Sequence, residues 1–235
     1  VQKQGAYPCF CTAEELDAIR KKQEENKENP GYYGKYAKCR DLTYEEIEEK
    51  VKAGTPYVLR LRSPGSADRR ISFLDGVKGK IEMPENDIDV VLLKTDGIPT
   101  YHFAHAVDDF LMGTTDVIRG DEWISSAPVH LQLFDVLGFP APRYAHISPI
   151  MKEDAETGGK RKLSKRKDPE AAVDYYHEVG YPKESVLEYL LTIANSNYEE
   201  WRMQNPTASY KDFPFNIKKM SVSGCLFDFD KLGDV

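Results

Sequence analysis

Hydrophobic and polar positions along this 235-residue chain change their period several times. Near the start, Leu16 and Ile19 lie one helical turn apart behind Thr12-Ala-Glu-Glu15. Thr12 and Glu15 can form a reciprocal capping box there, and Asn29-Pro-Gly ends the segment. Thr43-Tyr-Glu-Glu46 repeats the signal, with Ile47 and Val51 as the expected buried stripe up to Gly54. From Tyr57 the period drops to two. Tyr57, Leu59 and Leu61 alternate with Val58, Arg60 and Arg62, which predicts a strand. Residues 71–74 and 80–83 continue the strand pattern around an Asp75-Gly turn signal, and the apolar run 90–93 fits a buried strand. Residues 57–95 therefore predict one small sheet.

The second half reads differently. Residues 102–112 predict a helix with Phe103, Ala104, Val107 and Leu111 inward. Residues 116–119 predict a strand, Ser125-Ser-Ala-Pro128 opens a helix that ends at Gly138, and 144–147 predict another strand. This β-α-β order suggests half of a parallel α/β sheet, with too few strands for a whole doubly wound domain. A basic loop follows Gly158. Asp168-Pro predicts a helix running to His177, Pro182-Lys-Glu predicts a second, and 213–232 predict loop and short helix.

Composition narrows the function classes. Hydrophobic residues make up 40% and charged residues 30%, which fits a globular chain rather than a disordered one. The longest apolar run is four residues, too short for a spanning helix, and no signal peptide opens the chain. Four cysteines, three of them clustered, do not suggest a disulfide scaffold, so a cytoplasmic setting and no membrane partner are expected. The formal net charge of −7 argues against a purely electrostatic nucleic-acid binder but leaves room for a local basic patch.

Such a patch exists between Gly159 and Asp168, where six basic side chains crowd a glycine-hinged stretch. A solvated surface loop is one reading. Lys162-Leu-Ser-Lys-Arg166, however, sets two lysines three residues apart around a small hydroxyl, which suits clamping a polyphosphate and neutralising a departing pyrophosphate. This stretch resembles the KMSKS loop of class I aminoacyl-tRNA synthetases. Lys94-Thr-Asp-Gly-Ile-Pro-Thr-Tyr-His-Phe-Ala104, Val107-Asp-Asp109, Leu111-Met-Gly113 and Val117-Ile-Arg-Gly-Asp-Glu-Trp123 extend the resemblance to the bacterial glutamyl-tRNA synthetase core. Pro128, His130, Gly138, Ala145-His146, residues 174–191 and residues 221–232 carry it along nearly the whole chain.

The resemblance implies an α/β fold: the second half of a Rossmann-type class I synthetase catalytic fold, an α+β connective insertion, and a helical stem-contact region. The implied segments are 1–98 for the acceptor-binding insertion, 99–158 for the half Rossmann fold, and 159–235 for the lysine loop and stem contacts. No His-x-Gly-His occurs, the start from Val1 to Cys11 resembles the beginning of the insertion, and 228–235 stops where anticodon-binding helices begin in the family. An inner fragment, inactive in isolation, is therefore expected. The implied partners are ATP with Mg2+, L-glutamate and tRNA(Glu), and a monomer is expected. Lys162, Ser164 and Lys165 would serve catalysis, with both lysines on ATP. Arg119 would clamp a substrate carboxylate, Tyr101 would hydrogen-bond the amino acid, and Trp123 would pack near the adenylate. His105 stands where the family usually has asparagine. The heads of Arg119, Lys162 and Lys165 should converge on a shared cavity. Alternatives within the same chemistry are a glutaminyl-tRNA synthetase or a tRNA-modifying paralogue; outside it, a non-catalytic acceptor-stem binding module.

Two further groups stand out. Cys9-Phe-Cys11 with Cys39 fits either three buried thiols or a tetrahedral zinc site, with Tyr36 as a candidate fourth ligand. Arg60, Arg62, Arg69, Arg70, Lys78 and Lys80 lie on the predicted strands, either as a solvated face or facing tRNA phosphates.

Overall fold

Both reciprocal capping boxes form in the computed structural model, which describes residues 5–154 and 157–234. The expectations resting on Val1 and Val235 lie partly outside those residues. The Glu15 amide donates to the Thr12 hydroxyl (3.3 Å) and the Thr12 amide to the Glu15 carboxylate (3.0 Å). In chain order the first half contains β1 (Ala6–Cys9), α1 (Ala13–Glu25), α2 (Tyr44–Lys52), β2 (Val58–Leu61), β3 (Arg70–Asp75), β4 (Gly79–Pro84), β5 (Val91–Leu93) and α3 (Tyr101–Met112). The second contains β6 (Asp116–Gly120), α4 (Ala127–Leu137), β7 (Arg143–Ile147), β8 (Ile150–Glu153), β9 (Lys160–Lys162), α5 (Val173–Val179), α6 (Lys183–Ala194), α7 (Tyr198–Gln204), β10 (Cys225–Leu226) and α8 (Phe229–Gly233). None of the described helices is long and apolar enough to cross a membrane.

The chain divides into two compact units. One gathers the chain up to Phe73 with Glu82–Thr115 and Ser125–Pro142; the other gathers Leu74–Ile81, Asp116–Ile124 and the chain from Arg143 onward. The strands of the 57–95 region do not share one sheet. β2 joins β1 and β5 in the order β1-β2-β5, all antiparallel, whereas β3 and β4 belong to a sheet of order β4-β3-β7-β6. Side-chain alternation is the same in either arrangement, so the period could not reveal the partner. The expected β-α-β order holds: β6 and β7 pair in parallel from Asp116↔Arg143 to Gly120↔Ile147, with α4 between them in sequence. A third sheet, β10-β8-β9, contains the start of the lysine loop.

In the first unit, Leu61, Leu92, Ala106, Leu133 and Phe134 form one core, flanked by Val90, Phe103 and Leu137. A second core packs Tyr7, Ile19, Tyr32 and Tyr36 around Cys9 and Cys39. Helices α3 and α4 stop at Gly113 (φ +68°) and Gly138 (φ +72°), left-handed positions where a side chain would be strained. Two expected inward residues are not inward: Leu111 is 74% exposed and Val51 45%. Each lies on a helix whose buried face is narrower than the apolar stripe in the sequence.

In the second unit a buried carboxylate organises the parallel sheet. Asp75, at the end of β3, accepts from the amides of Val77 and Lys78 (both 2.9 Å), from the amide of His146 (3.1 Å) and from His146 Nδ1 (2.6 Å). Burial alone would raise its pKa, but these hydrogen bonds hold it below the usual carboxylate range. Burial holds the His146 ring below its ordinary pKa, opposed by the hydrogen bond to Asp75. The neutral ring thus donates from Nδ1 to Asp75 and accepts at Nε2 from Arg119 Nε (3.0 Å).

Leu133 is 1% exposed, so Leu133→Ala should cost about 2–5 kcal/mol, read as a lower denaturation midpoint at unchanged slope. Both depressed pKa values make acid destabilising. Below about pH 6.5 the unfolded His146 takes a proton that the folded ring refuses, and below about pH 4 the same follows for Asp75. Stability should therefore fall from pH 7 to 5, and His146→Gln should flatten that part of the profile; parallel curves for the two proteins would contradict the assignment.

Candidate functional site

Strand geometry sets the lysine loop. β9 pairs antiparallel with β8, with Met151 opposite Lys162, Lys152 opposite Arg161 and Glu153 opposite Lys160. Alternation sends Lys162 and Arg161 to opposite faces. Lys162 Nζ pairs with Glu122 (2.9 Å), which holds the Glu122 carboxyl below its ordinary pKa. Leu163 extends the hairpin by one bond to the Ile150 carbonyl (2.9 Å), and a tight turn then presents Lys165, Arg166 and Lys167 to solvent. The Ser164 amide is held by Asp168 (2.8 Å).

Lys162 and Lys165 line one cavity of about 740 Å³, together with Gly120, Glu122, Tyr176 and Leu187. The cavity is lined mainly by apolar side chains, with the cations Lys162, Lys165 and Lys183 and the carboxylates Glu122 and Glu170 among its polar groups. Of the three cations expected at a shared cavity, Lys162 and Lys165 line this one. Arg119 is not among the lining residues, although the next residue, Gly120, is. Its guanidinium lies over the rings of Tyr144 (4.8 Å) and Trp123 (5.8 Å), with Nε committed to His146. Glu122 was not singled out from the sequence. Its position between Arg119 and Trp123, in the first turn of the 310 helix that follows β6, is the available signal.

Tyr101 and His105 belong to the first unit. Their i, i+4 spacing on α3 stacks the rings nearly parallel, 6.0 Å apart and 10° tilted. The next turn adds Asp109, whose carboxylate lies 2.8 Å from His105 Nδ1. His130, fully buried on α4, approaches His105 (ring centroids 4.4 Å) and accepts or donates through Nε2 to His102 Nδ1 at 2.9 Å. The sequence reading left His102 and His130 outside the candidate set, because residues from two helices carry no common period.

The three clustered cysteines do meet. Their sulfurs all lie within 4.8 Å of one another, and Cys11 and Cys39 are 3.7 Å apart. Sulfurs on a tetrahedral zinc with Zn–S of about 2.3 Å stand about 3.8 Å apart. The backbone amide of Phe10 donates to Cys39 Sγ at 3.4 Å. Cys9 is the thiol most readily ionised: the Cys39 thiol donates to it and lowers its pKa, against its burial. The phenol beside this group is Tyr32, not Tyr36. Tyr32 Oη lies 3.3 Å from Cys11 Sγ and accepts from the Cys39 amide (3.0 Å). Tyr36 turns its hydroxyl to Glu28 and accepts from Asn26 (3.3 Å). Tyrosines four residues apart share composition but not orientation, so spacing alone could not choose between them.

The basic strand residues are largely spent on protein partners. Arg60 is 7% exposed, lies 4.1 Å over the Tyr32 ring and donates to the Asp89 carbonyl (2.9 Å). Arg62 pairs with Asp41 (3.3 Å), Arg69 with Glu85 (2.8 Å) and Arg70 with Glu82 (3.4 Å). Lys78 meets Asp121 (3.0 Å), Ser148 and the Val222 carbonyl. Arg60 is thus an interior residue, whereas Arg69 and Arg70 keep more than half of their side-chain surface in solvent.

Comparison with known proteins now bears on the site. The chain matches the family of class I tRNA synthetases (E and Q), catalytic domain, over residues 1–232. It is 61% identical over 230 residues to a glutamate–tRNA ligase of Clostridium beijerinckii, covering 98% of this chain and 41% of that protein. A glutamate–tRNA ligase of Sorangium cellulosum is 53% identical over 247 residues, covering all of this chain and 43% of the relative. The crystal structure of a glutamate tRNA ligase from Elizabethkingia meningosepticum in complex with its amino acid superposes with a TM-score of 0.80 at 32% identity, covering 97% of this chain and 48% of that one. The chain thus spans about four-tenths of the length of the curated relatives it matches. With a match along nearly every residue and a mixed α/β architecture shared with solved ligases, this chain belongs to the class I aminoacyl-tRNA synthetase family for glutamate and glutamine.

Proposed function

We propose that the chain works as part of a glutamate–tRNA ligase, which activates L-glutamate with ATP and Mg2+ and transfers it to the 3′ end of tRNA(Glu). The observation that carries this reading is the pair Lys162 and Lys165 on one cavity, at the open end of the β8–β9 hairpin. A carboxylate oxygen of glutamate attacks the α-phosphorus of ATP, and the bond to the bridging oxygen of the β-phosphate breaks. Negative charge gathers on the departing pyrophosphate, where the two ammonium groups oppose it and the Ser164 hydroxyl can donate. A ribose hydroxyl of the tRNA then attacks the adenylate carbonyl and AMP leaves. No side chain forms a covalent bond, so the work is positioning and charge stabilisation.

In this reading Arg119 clamps a glutamate carboxylate, its plane set by the bond from Nε to His146 and by the flanking aromatic rings. Trp123 supplies an apolar wall for the adenylate. Tyr101 and His105 hold the amino acid, with Asp109 orienting the imidazole. Segment 1–98 acts as the acceptor-end insertion, 99–158 as the half Rossmann fold, and 159–235 as the lysine loop with stem contacts. The relatives are named for glutamate, which favours that amino acid over glutamine.

The cysteine group fits a structural Zn2+: three soft thiolate donors, a phenol within reach and an amide hydrogen bond to one sulfur. Cys9, Cys11 and Cys39 would hold it with Tyr32, closing the loops of the first unit's aromatic core.

The test of the ligase reading places this chain in the Clostridium beijerinckii enzyme in exchange for its matching stretch. The exchanged enzyme should charge tRNA(Glu) with glutamate. Lys165→Ala should lower kcat about 10²-fold or more, with a small change in the KM for glutamate; an unchanged kcat would remove the assigned role. For the metal, the chain purified with zinc should retain it, as read by mass spectrometry of metals. Cys39→Ser should abolish retention, Tyr32→Phe should weaken it by about tenfold or more, and Tyr36→Phe should leave it as it was.

A further inference from the structure

Behind the lysine loop lies a group of charges that the proposed reaction does not use. Arg161 forks onto Asp168, NH1 to Oδ2 (2.6 Å) and NH2 to Oδ1 (2.7 Å), and its Nε side lies 3.3 Å from Asp154. Lys152, opposite Arg161 in the hairpin, approaches Asp168 (3.5 Å) and pairs with Glu170. Asp168 and Glu170 are 3% and 4% exposed. The Arg161 guanidinium holds the Asp168 carboxyl well below its ordinary pKa.

Asp168 also closes the turn from within. Its Oδ2 accepts the Ser164 amide (2.8 Å), while the Ser164 carbonyl accepts the amides of Lys167 (3.0 Å) and Asp168 (2.8 Å). Both ends of the five-residue turn are therefore fixed, and Lys165 sits inside it. Asp168 could instead have capped the helix that Asp168-Pro predicts. It makes no capping bond, and the segment after it is a short 310 turn, Pro169–Ala171, before α5 begins at Val173. A helix cap has been given up for the loop. Taking two carboxylates out of water beside two part-exposed cations gains little net stability even when the geometry is good; what such a network gives is a single arrangement.

We propose that Asp168 and Arg161 form a positioning latch for the lysine loop, fixing where Lys162 and Lys165 stand relative to the cavity they line. The inference rests on the ligase reading for its catalytic meaning. The latch touches no substrate and acts through the lysines. Arg161 and Lys162 are strand neighbours on opposite faces, so anchoring one sets the other. Asp168 fixes the backbone on which Lys165 is carried.

The experiment uses the exchanged Clostridium beijerinckii ligase, measuring glutamate- and tRNA-dependent exchange of pyrophosphate into ATP. Asp168→Asn keeps the shape and removes the charge. It should lower kcat about tenfold to a hundredfold, the scale of a misplaced catalytic group, and leave the KM values for ATP and glutamate within about threefold. In the Lys165→Ala background the same change should cost at least about threefold less than in the intact loop, because one of the two groups it positions is gone. Arg161→Lys, which keeps the charge and loses the fork, should reproduce the pattern should the Asp168 variant fold poorly. On the chain itself, Asp168→Asn should speed tryptic cleavage at residues 165–167 about tenfold with little change in the thermal midpoint. Full, multiplicative losses in the double variant, a rise in KM at constant kcat, or unchanged cleavage would each overturn the latch. No loss from Lys165→Ala would overturn the ligase reading, and a loss there with none from Asp168→Asn would overturn the latch alone.

Discussion

A carboxylate removed from water must be met by donors, and this chain satisfies that demand by drawing together segments far apart in sequence. Asp89, fully buried, accepts from the Tyr7 hydroxyl (2.5 Å), the Ser63 amide (2.8 Å) and Arg40. It thereby ties β1, the turn before α2 and the exit of β2 to the approach to β5. Asp75 does the same between β3 and β7, and Asp168 does so over a shorter range, within the lysine loop. In each case the buried anion has a fixed set of donors, so the backbone around it has one acceptable path. Hydrophobic packing supplies the driving force, but these anions decide which of several apolar arrangements is kept.

What could be read in advance follows from range. The two capping boxes depend on residues three apart, and both formed. The β-α-β order depends on period and turn signals and also holds. The lysine loop was legible because two cations around a hydroxyl on a glycine-hinged stretch is a chemical pattern, whatever fold surrounds it. Long-range choices were not legible. Whether β3 lies beside β2 or β7 and which tyrosine faces the cysteines turn on partners tens of residues away, while Asp168 has two local choices, a helix cap or Arg161 seven residues back, between which spacing does not decide. The basic residues of β2 to β4 show the same limit. A row of arginines reads as a surface until their carboxylates are located, and Arg60 is an interior residue.

The period of two sorts the charges of β9. One strand carries, on alternate faces, a lysine directed at the cavity and an arginine directed at the buried anions. The sequence Lys160-Arg161-Lys162 looks like undifferentiated charge, yet the pleat divides it into separate tasks. The strand pairing, not the run of charge, assigns these neighbouring residues to opposite sides. The histidines of α3 and α4 make a similar point. His105 and His130 belong to different helices, and their approach follows from helix packing within the first unit.

The stacking of Arg60 on Tyr32 has a consequence for electrical balance. A divalent ion bound by three thiolates and an un-ionised phenol leaves one surplus negative charge in an interior that solvates charge poorly. The guanidinium 4.1 Å above that ring supplies one positive charge, and the sum is zero. Loading such a centre therefore leaves no uncompensated charge beneath the surface, whereas a neutral residue at position 60 would strand an anion among tyrosines.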